Sequence, residues 1–227
     1  MKLSVIIPVF NEAATVARVI REVREKNRGR ELELILVDDG SSDETLEEIR
    51  SVGDREIKLL RHERNIGKGA AIRTGLEAVT GEAVIIQDAD LEYDPGDYAK
   101  LLAEYEAGAP VVYGVRTLEP GQVIGHRLFY YGGYLVTLLT RWLYWCDLHD
   151  EPTCYKLFKT DVLKSIPLKC KRFEFCPEVT AKLIKRGIRI AEAPIRYRPR
   201  RMHEGKKIRW RDGVEAVWTL FKYRVLD

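Results

Sequence analysis

Five short apolar runs, each followed by a helical or turn signal, constrain this chain more than anything else in it. Leu3-Ser4-Val5-Ile6-Ile7-Pro8, Leu32-Glu33-Leu34-Ile35-Leu36-Val37, Ile57-Lys58-Leu59-Leu60, Ala83-Val84-Ile85-Ile86-Gln87 and Pro110-Val111-Val112-Tyr113-Gly114 read as strands. Between them, Val16, Val19, Ile20 and Val23 fall at helical spacing, as do Ile72, Leu76 and Val79. Near-continuous apolar strands alternating with amphipathic helices require a mostly parallel sheet covered on both faces. Asn11 reads as a helix cap, Ser41 with Glu44 as a capping box, and Asp94-Pro95 as a cap and helix start. The second half is less regular. It carries a strand signal around residues 154–158, helices at 161–166 and from Pro177, and an edge strand at 188–197 interrupted by Pro194. A last helix begins at Trp210. With no repeat or linker, 227 residues read as one α/β domain.

In an open α/β sheet, ligands bind beyond the carboxyl ends of the strands. Here those ends carry residues 8–12, Asp38-Asp39, Asp88-Ala89-Asp90 and Arg116. Asp88 and Asp90 alternate along a strand end, so both carboxylates point the same way and repel unless a cation lies between them. Such an oxygen pair suits Mg²⁺ or Mn²⁺, the ions that bridge carboxylates to a diphosphate. No G-x-G-x-x-G follows the first strand and no G-x-x-x-x-G-K-[ST] loop occurs, so metal and basic side chains must hold any diphosphate. The basic side chains come late: Arg196, Arg198, Arg200, Arg201, Lys206, Lys207, Arg209 and Arg211 lie in one run against Glu204 alone.

Net charge is only +3, which makes no case for a nucleic-acid partner. The four cysteines (Cys146, Cys154, Cys170, Cys176) show no C-x-x-C spacing, and Met1-Lys2-Leu3 opens no signal peptide. A cytoplasmic protein with reduced thiols is expected. The longest uncharged stretch, residues 128–140, is too short for the roughly 20 apolar residues of a bilayer span. Aromatic-rich residues 127–145 and the helix from Trp210 fit helices at a cytosolic membrane face, and fit amphipathic core helices as well.

The motifs Val5-Ile6-Ile7-Pro8-Val9-Phe10-Asn11-Glu12, Val37-Asp38-Asp39-Gly40-Ser41-Ser42-Asp43, Asn65-Ile66-Gly67-Lys68-Gly69 and Asp88-Ala89-Asp90 occur in that order. Gly114-Val115-Arg116, Asp150-Glu151-Pro152-Thr153-Cys154-Tyr155-Lys156 and Glu204-Gly205-Lys206-Lys207 follow. The chain thereby resembles family 2 glycosyltransferases over nearly its whole length, most of all the dolichol-phosphate mannose synthase and polyprenyl-phosphate sugar transferase branch. That resemblance implies a GT-A fold with a Rossmann-like, mostly parallel central sheet. Residues 1–117 would form the nucleotide-sugar-binding half and 118–227 the acceptor-binding half. Pro8, Phe10, Glu12, Val37 and Asp39 would line base and ribose. Lys68, Asp88, Ala89 and Asp90 would meet the diphosphate sugar, with Asp88, Asp90 and Glu92 holding Mg²⁺ or Mn²⁺. Arg116, Arg201 and Lys207 would contact donor phosphates. Relatives often carry Gln where this chain has Glu92, and G-x-S-K where it reads Glu204-Gly205-Lys206-Lys207.

The resemblance implies inverting transfer of a hexose from a nucleotide-diphosphate sugar, GDP-mannose and UDP-glucose both remaining open, to dolichyl or polyprenyl phosphate. Such an acceptor is already ionised and needs no base. A glycan or protein hydroxyl is the alternative acceptor, and would need a base, for which Asp150 is the candidate. A sugar-1-phosphate nucleotidyltransferase would need a glycine-rich phosphate motif that the first strand lacks. A non-enzymatic nucleotide-sugar binder would bind the donor without turning it over.

Overall fold

In the computed structural model, residues 1–116, 127–200, 207 and 209–226 are described. The chain starts with β1 (Lys2–Val9), α1 (Val16–Lys26), β2 (Glu31–Asp38), α2 (Thr45–Ser51), β3 (Lys58–Arg61), α3 (Lys68–Glu77) and β4 (Ala83–Ile86). A 3₁₀ turn at Pro95–Asp97 leads into α4 (Tyr98–Glu106), followed by β5 (Val111–Val115) and α5 (Arg127–Tyr144). The remaining elements are β6 (Lys156–Lys159), α6 (Thr160–Ser165), α7 (Phe175–Lys185), β7 (Ile190–Pro194) and α8 (Trp210–Val225).

The strands form one seven-stranded sheet in the order β3-β2-β1-β4-β6-β5-β7. All pairings are parallel except those of β6, which runs antiparallel to both β4 and β5. The mixed sheet meets the expectation of a mostly parallel one. It also puts a strand from the second half of the chain between two from the first.

The inner strands are largely apolar on both faces because helices cover both, and side-chain alternation divides the core in two. Val5, Ile7, Leu34, Leu36 and Ile85 pack with Val19, Ile20, Val23 and Leu101 on one side. Ile6, Ile35, Val84, Ile86 and Phe158 pack with Ala71, Ile72, Val179 and Leu183 on the other. Gly75 lets α3 lie flat on the sheet: a Cβ there would stand 2.7 Å from Ile6 Cγ2.

A third cluster joins α5, α7 and α8 through Val136, Leu143, Tyr144, Ala181, Leu220 and Tyr223. Lys182, buried on α7, pairs with Glu178 at 2.6 Å and lies over the Tyr223 ring, tying α8 down. The outer faces of α5 and α8 are different. Tyr131, Tyr134, Leu135, Trp142, Val214 and Trp218 are all more than half exposed. Gly132 and Gly133 do not interrupt α5. Among the described residues no helix is long and apolar enough to cross a membrane.

Two expected caps are loop ties instead. Asn11 has φ +48°, its side-chain oxygen accepts from the Ser42 amide, and its own amide donates to Ser41 Oγ. Helix α1 begins only at Val16, and α2 at Thr45, whose amide donates to Asp43 Oδ1. The polar residues bridge the β1 and β2 tips across 30 or so positions of sequence, an interaction no local pattern encodes. Asp94 does cap its turn, accepting from the Gly96 amide at 2.8 Å.

Candidate active site

The carboxyl tips of β1, β2, β4 and β5 bring Glu12, Asp39, Asp88, Asp90, Glu92 and Arg116 to one end of the sheet. Asp39 follows β2, and its carboxylate accepts from the amides of Ile66 and Gly67 (3.0 and 2.7 Å) and lies 2.7 Å from His62 Nδ1. His62 Nε2 meets Thr74 Oγ1 at 2.9 Å, so the ring is held at both nitrogens. Asp39 thus organises the loop before α3. Gly40 and Gly67 serve the same loop with φ of +72° and +106°. A Cβ at Gly40 would fall 2.6 Å from the Arg64 carbonyl carbon.

Four carboxylates and three cations share the β1 and β4 tips. Asp88 pairs with Lys68 Nζ, which also donates to Cys154 Sγ at 3.0 Å. Arg200 reaches Glu12 with both terminal nitrogens (3.2 and 3.0 Å) and Asp90 with Nη2 (2.8 Å). Its backbone amide donates to Glu92 Oε1 at 2.7 Å, while Tyr197 donates its hydroxyl to Glu92 Oε2 at 2.8 Å. Lys207 Nζ donates to Glu12 Oε1 at 2.7 Å and to the Phe10 carbonyl, above the Phe10 ring.

The two members of the D-x-D pair respond in opposite directions. Burial would raise the pKa of Asp88, but Lys68 and a hydrogen bond from Cys154 hold it below the ordinary carboxylate value. Burial and the neighbouring Asp88 and Glu92 push Asp90 up to about 7, with Arg200 only partly opposing them. A buried acid raised by two others is a site short of positive charge. Clustered carboxylate oxygens are also the donor set that Mg²⁺ and Mn²⁺ prefer. The residues therefore fit a divalent ion chemically, although among the described residues no three His, Cys, Asp or Glu side chains are gathered as a ready cage.

Arg116, just past β5, is built differently. Its Nε and Nη2 donate to the two oxygens of Asp150 at 2.8 and 2.7 Å, and its amide donates to Asp150 Oδ2 at 2.9 Å. The guanidinium lies 5.0 Å from the Tyr197 ring centroid, and Tyr197 packs on Tyr93, which stacks on Tyr155. Asp150, expected as a base, has both oxygens committed to Arg116; in this arrangement it holds the guanidinium in place.

Pro8, Phe10, Glu12, Lys68, Asp88, Asp90, Glu92 and Lys207 lie at the strand tips or among the side chains just described. Val37 does not present its side chain there. It is fully buried in the core cluster with Ile6, Ala71 and Ile72, the sheet face to which strand alternation assigns it. Ala89 is buried too, offering its carbonyl to Thr15 Oγ1 at 2.7 Å. Arg201 and residues 204–206 lie outside the described residues. Arg200, the hub of the cluster, was not singled out from the sequence, since a run of eight basic residues carries no phase to mark one of them. Tyr197 and Tyr93 gave no signal beyond aromatic content.

Comparison with known proteins agrees with this architecture. The family description Glycosyl transferase family 2 matches residues 4–166. The chain belongs to that family: it is a family 2 glycosyltransferase domain. It is 28% identical over 207 residues to the dodecaprenyl-phosphate galacturonate synthase of Rhizobium johnstonii, covering 88% of this chain and 60% of that protein. The chain thus spans about three fifths of the length of that curated relative. Among solved structures, glucosyl-3-phosphoglycerate synthase from Mycobacterium tuberculosis in complex with UDP superposes with a TM-score of 0.77 at 21% identity. All of this chain and 81% of that one are covered. The same enzyme with Mn²⁺, UDP and glucosyl-3-phosphoglycerate gives 0.76 at 21%, again covering 100% and 81%. The fold is of the GT-A type.

Proposed function

We propose that this domain transfers a sugar from a nucleotide-diphosphate donor to a polyprenyl or dolichyl phosphate at a membrane surface, with inversion and with Mg²⁺ or Mn²⁺. The observation that carries the lipid acceptor is the course of α5. A Cβ placed on its Gly133 would lie 3.3 Å from Pro152 Cγ and 4.0 Å from Arg116 Nη2. The same helix exposes Tyr131, Tyr134, Leu135 and Trp142. One element therefore joins a guanidinium of the site to an apolar, aromatic surface suited to an acyl or prenyl chain at an interface. The name of the Rhizobium relative points the same way for the acceptor.

Chemistry at the site supports a phosphate nucleophile. A hydroxyl acceptor needs a base, and Asp150 already accepts three hydrogen bonds from Arg116. A phosphate monoester is ionised near neutrality and needs electrostatic cover from the donor instead. Arg116, Lys68, Arg200 and Lys207 supply fixed positive charge, with Asp150 orienting Arg116 and Asp39 ordering the loop that leads to Lys68. Asp88, Asp90 and Glu92 would hold the divalent ion, which when bound would neutralise the departing nucleoside diphosphate. Pro8 and Phe10 would flank the nucleobase, with Glu12 accepting from it once Lys207 has been displaced.

Incubating the domain with Mn²⁺, polyprenyl phosphate and a panel of radiolabelled nucleotide sugars tests this reading. Label should pass into the organic phase for one donor. Label that stays in water-soluble product would move the acceptor to a soluble hydroxyl or phosphate, and no turnover of any donor would remove the reading.

A further inference from the structure

Two arginines at this site bind carboxylates in different ways. Arg116 is matched to one partner, with two parallel bonds to Asp150 of 2.8 and 2.7 Å, the geometry that a guanidinium and a carboxylate form when each is built for the other. Arg200 also forks onto a carboxylate, Nη1 and Nη2 reaching the two oxygens of Glu12 at 3.2 and 3.0 Å, but it does not belong to that partner alone. Nη2 is shared with Asp90 at 2.8 Å, and the buried Nε makes no hydrogen bond among the described residues, lying 3.9 Å from Glu92 Oε1. An unbonded, buried N–H is a cost that a purely structural arginine ordinarily avoids.

Charge is mismatched as well. Among the described residues Asp88 is answered by Lys68, while the carboxyl groups of Glu12, Asp90 and Glu92 share Arg200 and Lys207. The guanidinium is shared between Glu12 and Asp90 with Glu92 close by, and among the described residues three carboxylates face two cations. A guanidinium placed between carboxylates in this way occupies the position a divalent ion would contest.

We infer that Arg200 is the resident counter-cation of the acidic cluster in the donor-free protein, and that a divalent ion takes up the cluster only in competition with it. The inference rests on the reading of this cluster as a divalent-cation site. Arg200 released from Asp90 and Glu12 is then free to turn to the donor's diphosphate, so one guanidinium serves two anions in succession.

The test is Mn²⁺ binding to the full chain without nucleotide, followed by electron paramagnetic resonance of the free ion, together with thermal melting. Arg200→Gln should bind Mn²⁺ about tenfold more tightly than the parent, since a competing charge has been removed. In metal-free buffer the same variant should melt several degrees lower, its carboxylates left facing one another, and saturating Mn²⁺ should close that gap. Arg200→Lys keeps the charge but cannot span two carboxylates; it should tighten Mn²⁺ to a smaller degree, and it keeps the test alive if the glutamine variant does not fold. Asp90→Asn should abolish Mn²⁺ uptake. If neither Arg200 variant tightens Mn²⁺ while Asp90→Asn still abolishes uptake, Arg200 is a structural residue and the cation site survives without this inference. If the parent takes up no Mn²⁺ at all, the cation site falls and the inference with it.

Discussion

The two ends of the central sheet each bury an acid, and they treat it in opposite ways. At the amino end Glu33, its side chain 4% exposed, receives Ser4 Oγ at 2.5 Å, Lys58 Nζ at 2.6 Å, and both the hydroxyl and the amide of Thr80 at 2.7 and 2.9 Å. Burial alone would raise its pKa, but these donors overcome the penalty and hold it far below the ordinary carboxylate range. At the carboxyl end Asp90, 15% exposed, sits beside Asp88 and Glu92 and is pushed up to about 7. The first acid is answered completely by its surroundings and stabilises the fold. The second is left partly unanswered, which costs stability and keeps an electrostatic demand open for a ligand. The difference is the one expected between a carboxylate that serves the fold and one that serves the function proposed for Asp90.

The largest expected consequence lies at the carboxyl end. Asp90→Asn should lower sugar transfer by about a thousandfold or more, because both the ion and the charge it would bring to the leaving diphosphate are lost. Circular dichroism should show the fold intact. Turnover within tenfold of the parent would place the chemistry elsewhere. The mirror experiment is Glu33→Gln, which removes the charge that the exposed Lys58 and the donors of Ser4 and Thr80 converge on. Urea denaturation should show a loss of about 1–3 kcal/mol, the scale for leaving buried donors short of their acceptor. Transfer per folded molecule should stay within about twofold, and a large fall there would erase the contrast.

Legibility in the sequence also differs across the molecule. Strands β1, β2, β4 and β5 announced themselves because both faces are largely buried, so their residues form apolar runs such as Ala83-Val84-Ile85-Ile86. The place of β6 did not. Its insertion between β4 and β5 is set by pairings such as Val84 with Phe158, which no local period records. Asp88 and Asp90 were legible because two acids at a strand end have no structural use there. Arg200 was not, because its role depends on a chain reversal that carries it back to Glu12, 188 residues away. Val37 shows the same limit: a motif gives neighbourhood, while strand alternation puts this side chain in the core with Ile6 and Ile72.

A second stability test sits at the β5 tip. Asp150→Ala leaves Arg116 without the partner that takes both its nitrogens, and should cost about 3 kcal/mol in urea denaturation. Asp150→Asn retains an acceptor and should cost less. Transfer should fall in both, since Arg116 loses its orientation, with no new requirement for high pH. Activity of Asp150→Asn that recovers as pH rises would instead mark Asp150 as a base.

The smallest effect is also the most discriminating, because its sign is set by the contrast itself. Glu33 has a folded pKa below its unfolded value of about 4.3, so its contribution is present above that pH and is lost as pH falls through the folded value. Asp90 is the reverse. Its folded value of about 7 lies above an unfolded value of about 3.9. Its contribution is full below the unfolded value and disappears as pH rises through 7. In metal-free buffer, Asp90→Asn should therefore match the parent near pH 4.5 and be more stable than it at pH 8, by about 1 kcal/mol once the lost pairing with Arg200 is counted. Mn²⁺ should stabilise the parent alone at pH 8 and so narrow or reverse the difference. Glu33→Gln should show the opposite slope, with its deficit greatest at neutral pH and shrinking in acid. Parallel pH profiles for the two variants would mean that both ends of the sheet hold the same kind of acid, and the distinction between them would be lost.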